Sequence, residues 1–375
     1  MSTNMISFSR PYVSKHTSFH VGEALKNQIQ QGDGWYSNLV TQKIEEMYPD
    51  LTCLLVPSCT SALELSLMII DLKPGDEVIV PSFTFPSVAT AITKFWATPV
   101  FCDINSDSGC IELEGIEKLI NINTKAITWV NYGGNRPSLI SLSKIAKENN
   151  LILIEDAAHN FGEATRVNRE FQSDFVAFSF HATKNIQCGE GGALLIRNPK
   201  FASKARIMRE KGTNRHEFQL GKVSKYSWVD RGSSYLLAEV NCAILWSQLQ
   251  DIDFIFASRQ RIVEEYSTKL SAIEEYDWEI MKLNNAAAHI FALKAPEKSA
   301  RDEFIHKMAC QGITTVSHYE DLAKSVAGMK YGRSMNNCKN SIDLSERIVR
   351  LPLYVGLKDT DVEGVLEGVQ SAIKF

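Results

Sequence analysis

Lys184 is the residue of this chain best placed for covalent chemistry. It lies in Phe178-Ser179-Phe180-His181-Ala182-Thr183-Lys184-Asn185, between a β-type run from Asp174 to Phe180 and the turn Gly189-Glu190-Gly191-Gly192. A lysine packed against apolar walls has a lowered pKa, and its free amine can attack a carbonyl to form a Schiff base. Upstream, Leu151-Ile152-Leu153-Ile154 is a continuous apolar run, as expected of a strand buried on both faces of a parallel sheet. It ends in Glu155-Asp156-Ala157-Ala158-His159, and open α/β sheets hold ligands in the crevice at such strand ends. An amine to hold an aldehyde and an acid to keep a ring nitrogen protonated are the two groups that pyridoxal phosphate (PLP) needs from a protein. Singly, each has a plainer reading, as a surface lysine at a strand end or an aspartate capping the next helix. Their joint occurrence favours the cofactor.

The elements that must position these groups alternate along the chain. Short apolar runs at Cys53–Val56, Glu77–Val80, Pro99–Asp103 and Ala126–Val130 read as strands, as do the Asp156 run and Ala193–Ile196. Helical spacing lies between them: from Cys59 to about Asp71, Val88 to Trp96, Ile111 to Ile120, and Pro137 to Asn150. Repeated alternation of this kind predicts an α/β fold with a mostly parallel central sheet and right-handed crossovers. Pro57-Ser58-Cys59-Thr60-Ser61 opens one of these helices, and hydroxyls with free N–H groups at a helix start suit a phosphate, although simple N-capping explains them too. In Pro81-Ser82-Phe83-Thr84-Phe85-Pro86, at another strand end, an aromatic ring could stack on a pyridine ring. Beyond Leu249 the pattern is more helical (Ile252–Tyr266, Ser299–Gln311), with strands expected at Ala287–Leu293 and Ile313–Tyr319 and a closing helix from Asp359. We therefore expect a large domain over 1–250 and a smaller α+β domain over 251–375.

Composition narrows the class. The chain has 375 residues, 44% hydrophobic and 22% charged, with a net charge of −4, so neither nucleic acid nor an anionic membrane is an expected partner. The N-terminal MSTNMISFSR lacks an apolar signal core and no stretch is apolar enough to span a bilayer, which favours a cytoplasmic protein. Eight cysteines are scattered without a C-x-x-C pair; they read as thiols rather than as a metal site, and Cys59 and Cys188 read as small apolar fillers.

EDAAH, SFHATKN and GEGGA together resemble the sugar aminotransferases of the DegT/DnrJ/EryC1/StrS family, over nearly the whole chain and most densely from about Ser58 to Leu249. The resemblance implies the aspartate aminotransferase-like fold (PLP fold type I), with PLP as cofactor and its pyridoxamine phosphate form in the half-reaction. It implies Lys184 as cofactor anchor and base, Asp156 on the ring nitrogen, and His159 near the ring. It further places Thr60, Ser61 and Ser179 on the cofactor phosphate and Phe85 on the ring face. Active sites in the family are shared between two subunits, so a homodimer is implied. Where relatives supply an asparagine from the neighbouring subunit this chain has Ser234, in Gly232-Ser233-Ser234-Tyr235.

Substrate follows from the same resemblance. Residues 208–235, with Arg209-Glu210-Lys211-Gly212-Thr213-Asn214-Arg215, are similar to the branch that makes a dTDP-linked 4-amino-4,6-dideoxy sugar for surface glycans. Basic groups beside a glycine turn suit a diphosphate or carboxylate, which makes Arg209 and Arg215 candidate substrate contacts. His318-Tyr319 resembles an element that approaches substrate, but the proline and second histidine that usually follow are missing. The expected activity is amination of a dTDP-4-keto-6-deoxyhexose at C4, with L-glutamate as donor, in lipopolysaccharide or O-antigen biosynthesis. A C3-specific aminotransferase is the nearest alternative. A pyridoxamine phosphate-dependent sugar dehydratase would have the lysine replaced, typically by histidine, and a non-catalytic sensor could lack either anchor.

Overall fold

The computed structural model describes residues 5–27, 30–162, 172–284, 286–334 and 337–374. Its strands are β1 (Thr52–Val56), β2 (Glu77–Pro81), β3 (Thr98–Cys102), β4 (Thr124–Val130), β5 (Ile152–Asp156), β6 (Phe175–Ser179), β7 (Gly192–Ile196), β8 (Glu279–Ile280), β9 (Ala292–Lys294), β10 (Val316–Ser317), β11 (Arg333–Ser334) and β12 (Ile348–Arg350). Eight form one sheet in the order β1-β7-β6-β5-β4-β2-β3-β11. Only β7 runs against its neighbours; the pairings from β6 through β5, β4, β2 and β3 to β11 are all parallel. This is the mostly parallel α/β sheet expected from the alternating pattern.

Strand periodicity sends alternate residues to two different cores. Leu54 and Val56, Phe175 and Ala177, and Leu194 and Ile196 face the helices Cys59–Ile69 and Pro199–Arg209. Cys53 and Leu55, Val176 and Phe178, and Ala193 and Leu195 face the helices Trp35–Met47 and Glu239–Gln250. Both faces are covered, which is why these strands read as unbroken apolar runs. A second, four-stranded sheet, β10-β12-β9-β8, packs with the helices Ile252–Lys269, Lys298–Cys310 and Asp359–Ile373 around a separate core. Asp251 joins the first of these to Glu239–Gln250, and its carboxylate accepts from the Tyr12 hydroxyl at 3.0 Å.

Three elements differ from expectation. The apolar spacing from Ile111 to Ile120 yields only the short helix Ile116–Leu119, because Gly115 at φ +97° sets its start and Ile111 pairs with Ile104 across a turn. The strand expected over Ala287–Leu293 is confined to β9, and residues 286–291 run without strand pairing along the cavity wall, where His289 and Ile290 face the site. The strand expected over Ile313–Tyr319 shortens to β10. Tyr319 leaves the extended region at φ +36°, which ends the strand there. Among the described residues, no helix is long and apolar enough to cross a membrane.

Candidate active site

One cavity of 520 Å³ lies at the carboxyl ends of β5 and β6, beside the start of the helix Cys59–Ile69 and against the smaller sheet. Asp156 is the last residue of β5, so the end of that strand delivers its carboxylate to the cavity. Its Oδ1 accepts from the Ala158 N–H at 3.0 Å and lies 3.7 Å from the Cys59 thiol. Burial raises its pKa, opposed by the Ala158 amide, the Lys184 amine and the Cys59 thiol. Cys59 is therefore a neighbour of the acid as well as a filler, and burial pushes its thiol well above the usual range, so it is no nucleophile.

Lys184 sits on the turn after β6, its N–H donating to His181 O at 2.8 Å, and its side chain lines the same cavity. Burial lowers the amine pKa to about 8, against the pull of Asp156 and Cys59 upward. About a tenth of the amine is thus uncharged at neutrality, where an unperturbed lysine is almost wholly protonated. The next residue fixes the turn. Asn185 Oδ1 lies 2.8 Å from His289 Nδ1, and its amide also donates to Ala287 O, tying the lysine turn to the segment before β9.

Hydroxyls gather opposite. Ser58 caps the helix Cys59–Ile69, accepting from the Ser61 N–H at 3.1 Å, and Ser58, Thr60 and Ser179 all line the cavity. Gly192 permits this junction: a Cβ there would lie 2.5 Å from the Ser58 carbonyl carbon and 2.7 Å from the Cys59 nitrogen. Phe85 lines the cavity rim and is 56% exposed, whereas Phe83 is fully buried in the core.

His159, His289, His318 and Tyr319 line another part of the cavity, with Tyr132 packed behind them. His159 Nδ1 accepts from the Gly133 N–H at 3.4 Å, and Nε2 lies 2.9 Å from the Tyr319 hydroxyl. Burial drives the His159 pKa well below the usual value, with Lys184 and Arg350 adding to the effect. A neutral ring accepting at Nδ1 carries its hydrogen on Nε2, so it donates to Tyr319 and leaves the Tyr319 O–H free to donate elsewhere. His318 stacks on His159 with centroids 5.5 Å apart and bonds Tyr132 at 2.8 Å; His289 lies 4.5 Å from His159.

These residues fit PLP: an amine of lowered pKa, a buried acid on the same wall, and a hydroxyl-rich helix start held close by a glycine whose place a Cβ could take only by pushing that helix start away. A family model, the DegT/DnrJ/EryC1/StrS aminotransferase family, matches residues 12–370. The chain belongs to that family. It is a PLP-dependent aminotransferase of the sugar-aminotransferase kind. Solved structures share its fold. Spr1654 from Streptococcus pneumoniae, solved in PLP and PMP forms, is 23% identical in the PMP form, with a TM-score of 0.89 over 98% of this chain and 99% of that one. TlmJ, an aminotransferase from Streptoalloteichus hindustanus, is 24% identical with a TM-score of 0.86 over 98% of both chains. PseC, a Helicobacter pylori aminotransferase involved in the biosynthesis of pseudoaminic acid, is 23% identical with a TM-score of 0.85 over 99% of this chain and 100% of that one.

The aminotransferase cavity brings together Lys184, Asp156, His159, Thr60, Phe85, Ser179 and His318. Ser61, Arg209, Arg215 and Ser234 are not on its wall. Ser61 is engaged in the Ser58 cap. Arg209 is buried and pairs with Asp33 in the Gly32-Asp33-Gly34 turn and with Leu55 O. Arg215 pairs with Glu210 at 2.7 Å, and Ser234 is bridged to Glu210 through the backbone. Sequence reasoning overlooked Tyr132, His289, Arg259 and Arg350, which come from loops, a helix and the smaller sheet. Of the residues from these parts of the chain, only the His318-Tyr319 pair offered a signal, through the family resemblance.

Proposed function

We propose that this aminotransferase moves the amino group of L-glutamate to C4 of a dTDP-linked 4-keto-6-deoxyhexose, yielding 2-oxoglutarate and the 4-amino sugar for lipopolysaccharide or O-antigen. The observation that carries the chemistry is one cavity wall holding a Lys184 amine of lowered pKa together with a buried Asp156. When bound, PLP supplies an electron sink and a temporary carrier for the amino group. Lys184 would hold the cofactor aldehyde, and its Nζ is the base that takes a proton from the donor Cα. Asp156 would keep the ring nitrogen protonated. The Cys59 thiol and Ala158 amide keep that carboxylate aimed. Ser58 and Thr60, at the positively polarised helix start, and Ser179, at the end of β6, would hold the phosphate. Phe85 and His159 would bracket the ring.

The nucleotide, the sugar and C4 selectivity rest on the resemblance of residues 208–235. Two further observations support a homodimer with shared sites. Ser234 and Arg215 lie off their own cavity, and the nearby segment exposes Phe218, Leu220, Tyr226, Trp228 and Val229, Trp228 at 78%. Apolar groups exposed in this density mark an interface. The eight cysteines are all free, which suits the reducing cytoplasm. We place the boundary between the two domains near residue 250, where the helix Ile252–Lys269 begins.

The experiment is product analysis. Enzyme and glutamate are incubated separately with 3-keto and 4-keto dTDP-6-deoxyhexoses, and products are identified by mass spectrometry and NMR. Borohydride reduction followed by peptide mapping locates the cofactor. Turnover of the 4-keto sugar alone, with the label on Lys184, is expected. Turnover of only the 3-keto compound would overturn the regiochemistry, and a label on any other residue would overturn the site.

A further inference from the structure

Tyr319 reaches the cavity in a backbone conformation that it would not choose alone. Its φ of +36° lies in the left-handed region, which a residue other than glycine enters at a cost and keeps only where its surroundings impose it. Its hydroxyl lies 2.9 Å from His159 Nε2, and its ring packs on Phe83 and Phe85 with centroids 5.5 and 6.1 Å apart. These contacts fix the ring but not the chain beyond it. That chain, where the usual proline is missing, reads Glu320-Asp321-Leu322-Ala323.

Asp321 holds it. Asp321, Ser82 and Ser341 are all buried, and the hydroxyls of both serines donate to Asp321 Oδ2, each at 2.5 Å. The Lys324 N–H donates to Oδ1 at 2.9 Å. Ser82 Oγ accepts in turn from the Ala323 N–H at 3.1 Å, and Ser82 O from the Leu322 N–H at 2.9 Å. Asp321 also bridges Phe83 through the backbone. Ser82 stands just beyond β2 of the large sheet, whereas Ser341 belongs to the helix Lys339–Arg347. The start of that helix is tied to the large sheet a second time. Asp103, just beyond β3, accepts from the Asn340 and Ser341 N–H groups at 3.1 and 2.9 Å.

An aspartate that only capped the single turn Leu322–Lys324 would need no more than the Lys324 bond. The two serine hydroxyls are unexplained by capping. Burying a carboxyl group is costly unless its oxygens are hydrogen-bonded, and here the donors come from separate parts of the fold. They meet only when residues 321–323 lie against 82–83, and this is the placement that leaves Tyr319 with its ring between Phe83, Phe85 and His159. The Tyr319 O–H then remains free to donate into the cavity, because His159 Nε2–H donates to its oxygen.

We propose that Asp321, clamped between Ser82 and Ser341, is a positioning residue that holds Tyr319 in its left-handed conformation and so presents the Tyr319 O–H to the ligand in the cavity. Asp321 acts only through Tyr319. The clamp stands apart from Lys184 and Asp156, so attachment of the cofactor does not need it. Only the kinetic part of the test rests on the keto sugar reading.

Two measurements test it. A crystal structure of Asp321→Ala should show Tyr319 returned to negative φ, with its hydroxyl out of hydrogen-bond reach of His159. Tyr319 unmoved in that variant overturns the proposal. The second measurement is a double-mutant cycle on kcat/KM for the keto sugar nucleotide, with PLP-loaded enzyme. Tyr319→Phe and Asp321→Ala should each cost on the order of 30-fold, since a small misplacement is enough for such a loss. The double variant should then fall no more than about twofold below either single one, because both substitutions remove the same interaction. Asp321→Asn keeps an acceptor for Lys324 and lets the serine hydroxyls turn to accept, so it should recover most of the activity. Losses that multiply would make Asp321 a support of the fold alone and overturn the proposal, as would loss of the visible absorption band of bound PLP in Asp321→Ala. If Asp321→Ala does not fold, Ser341→Ala takes its place in both measurements, with an expected loss of about fivefold. Should the unsubstituted enzyme turn over no keto sugar nucleotide, the substrate reading fails, and the position of Tyr319 still decides for or against Asp321.

Discussion

An amine that titrates near pH 8 changes how fast this protein takes up its cofactor. Only the uncharged form of Lys184 attacks the aldehyde, and its pKa is lowered from 10.5 to about 8 by burial. The sign follows directly: below pH 8 each unit of pH raises the reactive fraction nearly tenfold, and above it the fraction levels off. Capture of PLP by apoprotein, followed by stopped-flow absorbance, should therefore accelerate about 50-fold between pH 6 and 8 and then flatten. A rise that continues unbroken past pH 9.5 would refute the lowered pKa. Lys184→Ala should lose more than the ~10²–10⁴-fold typical of a missing acid–base group, since the anchor goes too. Single-turnover rates with glutamate would measure it. Lys184 and Asp156 could be seen in the sequence because each lies just beyond a buried apolar run, a local signal. Arg350 could not: its strand is three residues long, and its meaning comes from what surrounds it rather than from its neighbours in the chain.

The helix Cys59–Ile69 and β7 must meet at a single point for the phosphate end of the site to exist. Gly192 sits there, with Ser58 and Cys59 backbone atoms where a Cβ would fall. Gly192→Ala must push the helix start away from β7. We expect a loss of roughly 1–3 kcal/mol in unfolding free energy, by chemical denaturation, together with weaker PLP binding. Unchanged PLP affinity would show that the helix start does not hold the phosphate. At this scale the long strands and helices of the large sheet were readable, because burial on both faces writes continuous apolar runs. Elements shaped by tertiary contact were not. Ile111 and Ile116 have helical spacing, yet the first pairs with Ile104 and only the second enters a helix. Residues 286–291 carry strand-like composition, but Asn185 and Arg259 take up backbone carbonyls at Ala287, Ala288 and His289.

For the whole molecule, the exposed apolar segment around Trp228 should be covered by a second copy. Light scattering is expected to show twice the 42.0 kDa chain mass, and Trp228→Asp should shift the population toward monomer and lower activity. An active monomer at assay concentration would contradict this. The arrangement of helices on both faces of one large sheet was legible from strand–helix alternation. How the C-terminal segment returns to that sheet was not, because β11 is only two residues long. That return governs whether the molecule can be divided. β11 lies parallel on β3, and Arg333 from the same strand forms a two-pronged ion pair with Glu77 of β2. A polypeptide ending at residue 250 would keep the seven strands β1 to β7 but leave the outer margin of β3 bare, with Val100 and Phe101 in a row of unmatched amide groups. Bare margins recruit other chains. Such a fragment should precipitate or form β-rich aggregates when expressed alone, and adding residues 251–375 as a separate chain should restore solubility by capping it.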